Sequence, residues 1–346
     1  MGLIILVSIL CVIIAILLIF KTITKNFNGP LTQLAHDMTG QTVIITGGDS
    51  SIGFIVAKEL MQRGAKVVLA CRNEKHANTK LASIKDKTVS QRGIYLYLDL
   101  TDLDSVVKFV NNVKSNIGKI DILINNAGTC FQQFQLIKGI EKTLFTNHIG
   151  HVLLTSLLLD NDCFNKKSRV IHVSTTKYKR ISEKELTNFT ATNNCDFSIT
   201  QHNYDWMKVY VMSKLGNILH MLYLKDYIVK NGLEMKTVAI HPGYVRNEFF
   251  KGIHSLYWTI RQTVMIPFRW CLFKDEQMGA QTHLHTSYMK YEELENGGYY
   301  RDCHIEELKP IATNFGNVQK MMDFTKTLLV KNGICGEHKG ILKYFK

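Results

Sequence analysis

Short apolar runs alternate with segments of helical period through most of the chain. Gln41-Thr42-Val43-Ile44-Ile45 is a β-rich run, and Ala65 to Ala70 is a second. Between them Ile55, Val56, Leu60 and Met61 recur on one face of a helix that Arg63-Gly64 ends. Gly93 to Leu98 reads as a third strand, ending in Asp99-Leu100, with a helix from about Asp102 to Ile117. Ile120 to Ile124 is apolar enough for a strand buried on both faces of a parallel sheet. Arg169 to Val173 adds another strand, and Val211, Leu215, Ile218, Leu219 and Leu222 mark a further helix. This alternation predicts a doubly wound α/β domain of Rossmann type over residues 41–310, with ligands at the C-terminal ends of its parallel strands. Residues 23–40, punctuated by Gly29-Pro30, read as a linker. A tail, 311–346, carries one helix around Val318 to Val330 and no evident chemistry.

The first 22 residues differ from all of this. Gly2 to Phe20 is almost unbroken Leu, Ile and Val without charge, about the 20 residues that span a bilayer core. A cleaved signal peptide is the alternative. It lacks support, because no basic region precedes the run, the run is too long, and no small-residue cleavage site follows. An uncleaved transmembrane anchor is therefore expected, and Lys21 and Lys25 place the remainder on the cytoplasmic side.

Composition narrows the classes. The 346 residues are 46% hydrophobic, so a sizeable core is available. A formal net charge of +13 suits nucleic acid or anionic phosphate, but Lys and Arg are dispersed and no nucleic-acid motif is present, so no nucleic-acid partner is expected. The eight cysteines stand singly with no CxxC pair, which favours a reducing compartment and no metal site.

The turn between the first strand and helix is Thr46-Gly47-Gly48-Asp49-Ser50-Ser51-Ile52-Gly53. Small residues there let backbone N–H groups approach a pyrophosphate, and the helix N-terminus adds favourable dipole charge. Past the second strand, where an acidic residue would accept a ribose 2′-hydroxyl, stands Cys71-Arg72-Asn73. Arg72 can pair with a 2′-phosphate, which favours NADP (as NADPH) over NAD. Tyr210 and Lys214, four apart on a helix, share one face. An ammonium there is expected to lower the phenol pKa and fit the tyrosine for proton transfer.

In order, the Thr46–Gly53 turn, Asp99-Leu100, Asn125-Asn126-Ala127-Gly128, Tyr210-Val211-Met212-Ser213-Lys214 and His241-Pro242-Gly243 resemble the short-chain dehydrogenase/reductase family. Within it the chain is similar to the membrane-anchored retinol dehydrogenase branch, through Asn147-His148-Ile149-Gly150-His151, Ser213-Lys214-Leu215, Gly279-Ala280-Gln281-Thr282 and Gly297-Gly298-Tyr299-Tyr300. The likeness extends to the family's X-linked member, which implies polyprenoid substrates. The resemblance implies an NADP-dependent oxidoreductase that interconverts a lipophilic alcohol and its aldehyde or ketone, retinoid-, polyprenoid- or steroid-like. It implies an endoplasmic reticulum membrane with the catalytic domain facing the cytoplasm. A homo-oligomer stays open.

Residue by residue, the resemblance makes Tyr210, Lys214, Thr175 and Asn147 catalytic, Asn147 as holder of the water chain from Lys214 to solvent. Gly47, Ser51, Ile52, Gly53, Arg72, Asp99, Asn125, Ala127, Gly128, Tyr210, Lys214, Pro242, Gly243 and Val245 would contact the cofactor. Two positions depart from the family pattern. Ser51 stands where the family has its middle glycine, and a side chain there can crowd the phosphate or strain a positive φ. Thr175 stands where the family has serine; it keeps a hydroxyl but stiffens χ1, and Ser174 is the alternative. These departures support a second reading, a non-catalytic, cofactor-binding, membrane-tethered scaffold. Beyond Val245, Asn247 takes the place of a family threonine. Residues 247–274, with Tyr257, Trp258, Phe268 and Trp270 beside Arg261 and Arg269, match the family's substrate lid. They read either as a membrane-touching lid or as an ordinary buried helix pair.

Overall fold

The computed structural model describes residues 29–34, 36–130, 133–191, 200–245, 274–333 and 344–345. The expected anchor at Gly2 to Phe20 and nearly all of the expected lid, Asn247 included, lie outside them. Among the described residues no helix is long and apolar enough to cross a membrane.

Four strands fall where the apolar runs lie: β1 (Thr42–Thr46), β2 (Lys66–Cys71), β3 (Gly93–Tyr97) and β4 (Ile120–Asn125). The predicted strand at Arg169 is longer, β5 running Phe164–Val173, and β6 (Met235–His241), β7 (Tyr299–Arg301) and β8 (His304–Ile305) complete an eight-stranded sheet. Its order is β8-β7-β6-β5-β4-β1-β2-β3, parallel except for the β7–β8 pair. The chain leaves β1 toward β2 on one side and later returns through β4 on the other. The crevice at this reversal is where a doubly wound sheet binds its ligand.

Helices connect the strands, and their starts are capped by short polar side chains. Ser50 Oγ accepts from Gly53 N–H at the start of α1 (Ser51–Gln62), and Asn73 Oδ1 accepts from His76 N–H at the start of α2 (Glu74–Ala82). The predicted helix after Asp102 is α3 (Leu103–Asn112), whose last turn widens into a π turn at Val113–Ile117. A second π turn, Phe145–Ile149, opens α4 (Gly150–Asp160). The 25-residue α6 (Trp206–Lys230) follows α5 (Glu183–Thr190) and starts at Asp205, whose carboxylate accepts from Met207 and Lys208 N–H. Helix α7 is Gln281–Tyr288 and α8 is Phe315–Lys331.

Both flanking segments pack on the domain. Met38 is buried with its N–H on the Arg63 carbonyl, and Thr32 N–H reaches Gln281 Oε1 at 3.0 Å. The second half of the expected linker therefore runs along α1 and α7. In the tail, Val318, Met321, Met322 and Leu328 of α8 join the core under α6. Tyr344 is buried against Tyr227, ring centroids 4.9 Å apart, and its hydroxyl meets His220 Nε2 of α6 at 2.9 Å.

Candidate active site

A cleft of 770 Å³ opens over the C-terminal ends of the parallel strands. Its lining includes Gly47, Ser51, Ile52, Arg72, Asp99, Ala127, Gly128, Thr175, Tyr210, Lys214, Pro242, Gly243 and Val245. Sequence positions separated by nearly two hundred residues thus meet on one surface.

The glycine turn is shaped by lack of room. A Cβ on Gly53 would lie 2.4 Å from the Gly47 carbonyl oxygen, and Gly47 itself has φ +60° with Ala127 Cα 3.2 Å from where its Cβ would be. Only glycine keeps both the left-handed turn and the close helix–strand approach. Ser51 is the first residue of α1 and is not among the positive-φ positions, so its side chain is carried without backbone strain. The N–H groups of this first turn have no partner within their own helix, and they face the cleft as an anion-binding helix end does. Thr46 locks the turn to β4: its hydroxyl accepts from Asn126 and Ala127 N–H, both at 2.9 Å.

That hydroxyl also fixes a histidine. His151 Nδ1 contacts the Asn147 carbonyl at 2.9 Å, so it must be the protonated ring nitrogen, and Nε2 accepts from Thr46 Oγ1 at 2.9 Å. Burial holds the His151 pKa down at about 3, which keeps the ring neutral and this tautomer in place.

Asn125 does not line the cleft. It is fully buried behind the strand end, its Nδ2 on Thr155 Oγ1 at 3.1 Å. The neighbour Asn126 faces the cleft instead, its Nδ2 bonded to the Thr46 carbonyl at 2.8 Å. Successive side chains at a strand end point to opposite sides, and the doubled asparagine hides which one faces the ligand. Asp99 keeps its place in the cleft, with Oδ1 accepting from Thr101 N–H and hydroxyl.

Arg72 lies at the exposed end of β2. His76 and Lys80, four residues apart on α2, line the same cleft, and Lys80 Nζ stands 5.3 Å over the Phe54 ring. Their spacing on one helix face could have flagged both from sequence. His76 Nδ1 meets Asp49 Oδ2 of the glycine turn at 3.0 Å.

The opposite wall carries the reactive side chains. Lys214 is buried, and its ammonium donates to the Val173 carbonyl at 3.0 Å. Desolvation lowers its pKa to about 8. The expected lowering of the Tyr210 pKa is not what this geometry gives. Burial raises the phenol pKa, with Cys130 and Tyr244 adding to the rise. Of the two candidate hydroxyls, Ser174 Oγ is committed to the Lys214 main-chain carbonyl at 2.7 Å. Thr175 Oγ1 has only a long contact from Lys177 N–H, 3.4 Å. Asn147 sits in the π turn, fully buried. Its Oδ1 accepts from Thr129 N–H at 2.7 Å, and its Nδ2 donates to the Thr129 carbonyl and to Ser213 Oγ. Its amide braces the loop after β4 against α6, next to Lys214.

At the last edge, Val245 bridges to Lys274. Lys274 is buried and paired with Asp302.

A family model described as short chain dehydrogenase matches residues 41–192. Dehydrogenase/reductase SDR family member 13 of Bos taurus is 30% identical over 91% of this chain and 79% of its own length. The chain belongs to the short-chain dehydrogenase/reductase family. It is similar as well to retinol dehydrogenase 11 of Homo sapiens, 29% identical over 89% of this chain and 91% of that one. A short-chain dehydrogenase of Burkholderia cenocepacia J2315, solved in complex with NADP, shares the fold with a TM-score of 0.56 at 18% identity, covering 77% of this chain and 97% of its own. This dehydrogenase is accordingly an NAD(P)-dependent oxidoreductase acting on CH–OH groups. Its residues fit a dinucleotide: the cleft runs from Arg72 to Tyr210, and the turn closes so tightly at Gly53 that the helix end stays open for phosphate.

Proposed function

We propose that the protein reduces a lipophilic aldehyde or ketone to its alcohol with NADPH. The observation that carries this reading is the convergence of Tyr210, Lys214 and Thr175 on the glycine-turn cleft, with the phenol pKa raised and the ammonium pKa lowered. A phenol holds its proton at neutral pH and can give it to the oxygen on which negative charge develops. Bound NADPH supplies the hydride to the carbonyl carbon. Thr175 donates a hydrogen bond to the carbonyl oxygen and orients it. Tyr210 then gives its proton to that oxygen, and the Lys214 ammonium stabilises the phenolate left behind. Asn147 is a positioning residue, holding Ser213 and the Thr129 loop.

Gly47, Ser51, Ile52 and Gly53 form the pyrophosphate seat in this reading, and Asp99, Ala127, Gly128, Pro242, Gly243 and Val245 frame the rest of the cofactor. Arg72, with Lys80 lining the same cleft, supports NADP over NAD, since two cations suit a 2′-phosphate and the Asp49 carboxylate of this cleft is paired with His76. The Gly2–Phe20 run anchors the chain in the endoplasmic reticulum membrane with the domain on the cytoplasmic side, where a lipid-borne carbonyl can reach the cleft.

The test is NADPH consumption, followed by absorbance, by the detergent-solubilised full chain with retinal and a polyprenal. Turnover that Tyr210→Phe removes, with NADH a poorer donor, is the expected result. NADPH binding without turnover of any carbonyl would replace this reading with the scaffold.

A further inference from the structure

The substrate end of the cleft holds a cation that the proposed reduction does not use. A 3₁₀ turn, Thr176–Arg180, follows Thr175 directly and brings Lys177, Lys179 and Arg180 close together. Lys179 is neutralised by Glu306. Lys177 turns the other way and lines the cleft with Thr175, Tyr210 and Tyr244. Its ammonium lies 3.8 Å from the Met207 sulfur and 5.8 Å from the centre of the Tyr244 ring. Neither is a counter-ion, and among the described residues no carboxylate pairs with it. Burial pulls its pKa below the ordinary lysine value, and the Arg180 charge adds to this against an opposing effect of Tyr244. A partly desolvated ammonium facing a cleft without an anion is unfavourable in the free protein, and the cost is relieved when an anion is set against it.

Its position separates it from the cofactor phosphates. Lys177 follows β5; the glycine turn follows β1, about 10 Å of sheet away with β4 between them, and Arg72 follows β2, about 14 Å away. Lys177 instead shares its surroundings with the reacting groups. The Cys130 thiol feels the charges of both Lys177 and Lys214, and Cys130 in turn acts on Tyr210.

We propose that Lys177 is a specificity-determining residue and that the substrate is amphipathic, carrying an anionic group, a carboxylate or a phosphate, near its carbonyl end. This rests on the reductase reading above and narrows its substrate class.

The test uses the full chain in detergent with NADPH and three matched aldehydes: 4-formylbenzoate, its methyl ester and 4-formylphenyl phosphate. KM for at least one anion is expected to fall about tenfold below that of the ester, as for one charge-assisted contact. The better anion identifies the group. Lys177→Met should bring the ratio to about one, and Lys177→Arg should preserve it. An ester used as well as both anions, or a preference that survives Lys177→Met, overturns the proposal. If no aldehyde turns over, calorimetric binding of 4-(hydroxymethyl)benzoate, 4-(hydroxymethyl)phenyl phosphate and the methyl ester of the first to the NADP complex decides the matter separately. Preference for an anion that depends on Lys177 upholds the anion site while the reduction fails. Equal affinities sink the anion site whatever the fate of the reduction.

Discussion

Along the β1–α1 wall of the cleft, space decides. Gly53 and Gly47 are there because backbone oxygen and Ala127 leave no place for a Cβ, and Thr46 ties the strand ends through a hydroxyl that accepts from two main-chain N–H groups. Along the β5–α6 wall, solvent exclusion decides. Lys214, Ser174 and Thr175 are buried, and their properties follow from what surrounds them rather than from what room they have. A wall built from backbone tolerates little change in shape but needs no distant support. A wall built from desolvated side chains depends on every layer that keeps water out, including the tail that covers α6.

The contrast can be tested by breaking each wall in turn. Tyr210→Phe removes the proton donor and should lower kcat by about a thousandfold, far more than it lowers NADPH affinity, as measured by steady-state kinetics and fluorescence titration. Gly53→Val is the mirror case: it must move the Gly47 carbonyl or the helix start, so NADPH affinity should fall about a hundredfold, with the folded state checked by circular dichroism. If Gly53→Val lowers kcat at saturating NADPH as much as Tyr210→Phe does, the walls are not separable.

Changing pH addresses only the side-chain wall. The Lys214 pKa is lowered to about 8, so its ammonium is present below that pH and lost as pH rises through it. Tyr210, raised, keeps its proton over the same range. The reduction rate should therefore be level below about pH 8 and fall about tenfold per unit above it, and Lys214→Arg should shift that fall upward. The smallest expected effect is that of Arg72→Ala. Its guanidinium is exposed, so KM for NADPH should rise only about fivefold, with KM for NADH nearly unchanged.

The same division explains what could be read from the chain. The strand–turn–helix unit and the Tyr210–Lys214 spacing are local patterns, and they lie where periodicity put them. Asn125 and Asn126 could not be told apart because strand facing is set by the exact end of β4. The sign of the Tyr210 shift was also illegible. Four-residue spacing places two side chains on one face, but the burial that raises the phenol comes from residues elsewhere in the chain. The tail offered no chemical signal, yet it supplies Tyr344 to His220, and His220 stacks edge-on with His172 at 4.8 Å. The Tyr344–His220 contact joins residues 124 positions apart, beyond any local pattern.

The pairing of Val245 with Lys274 gives the domain a single socket. The Lys274–Asp302 ion pair is the rivet of that closure. The entropy of holding Val245 and Lys274 together is borne by the scaffold, and because loop closure costs little more as the intervening chain lengthens, changes in the number of residues between them should be cheap in folding.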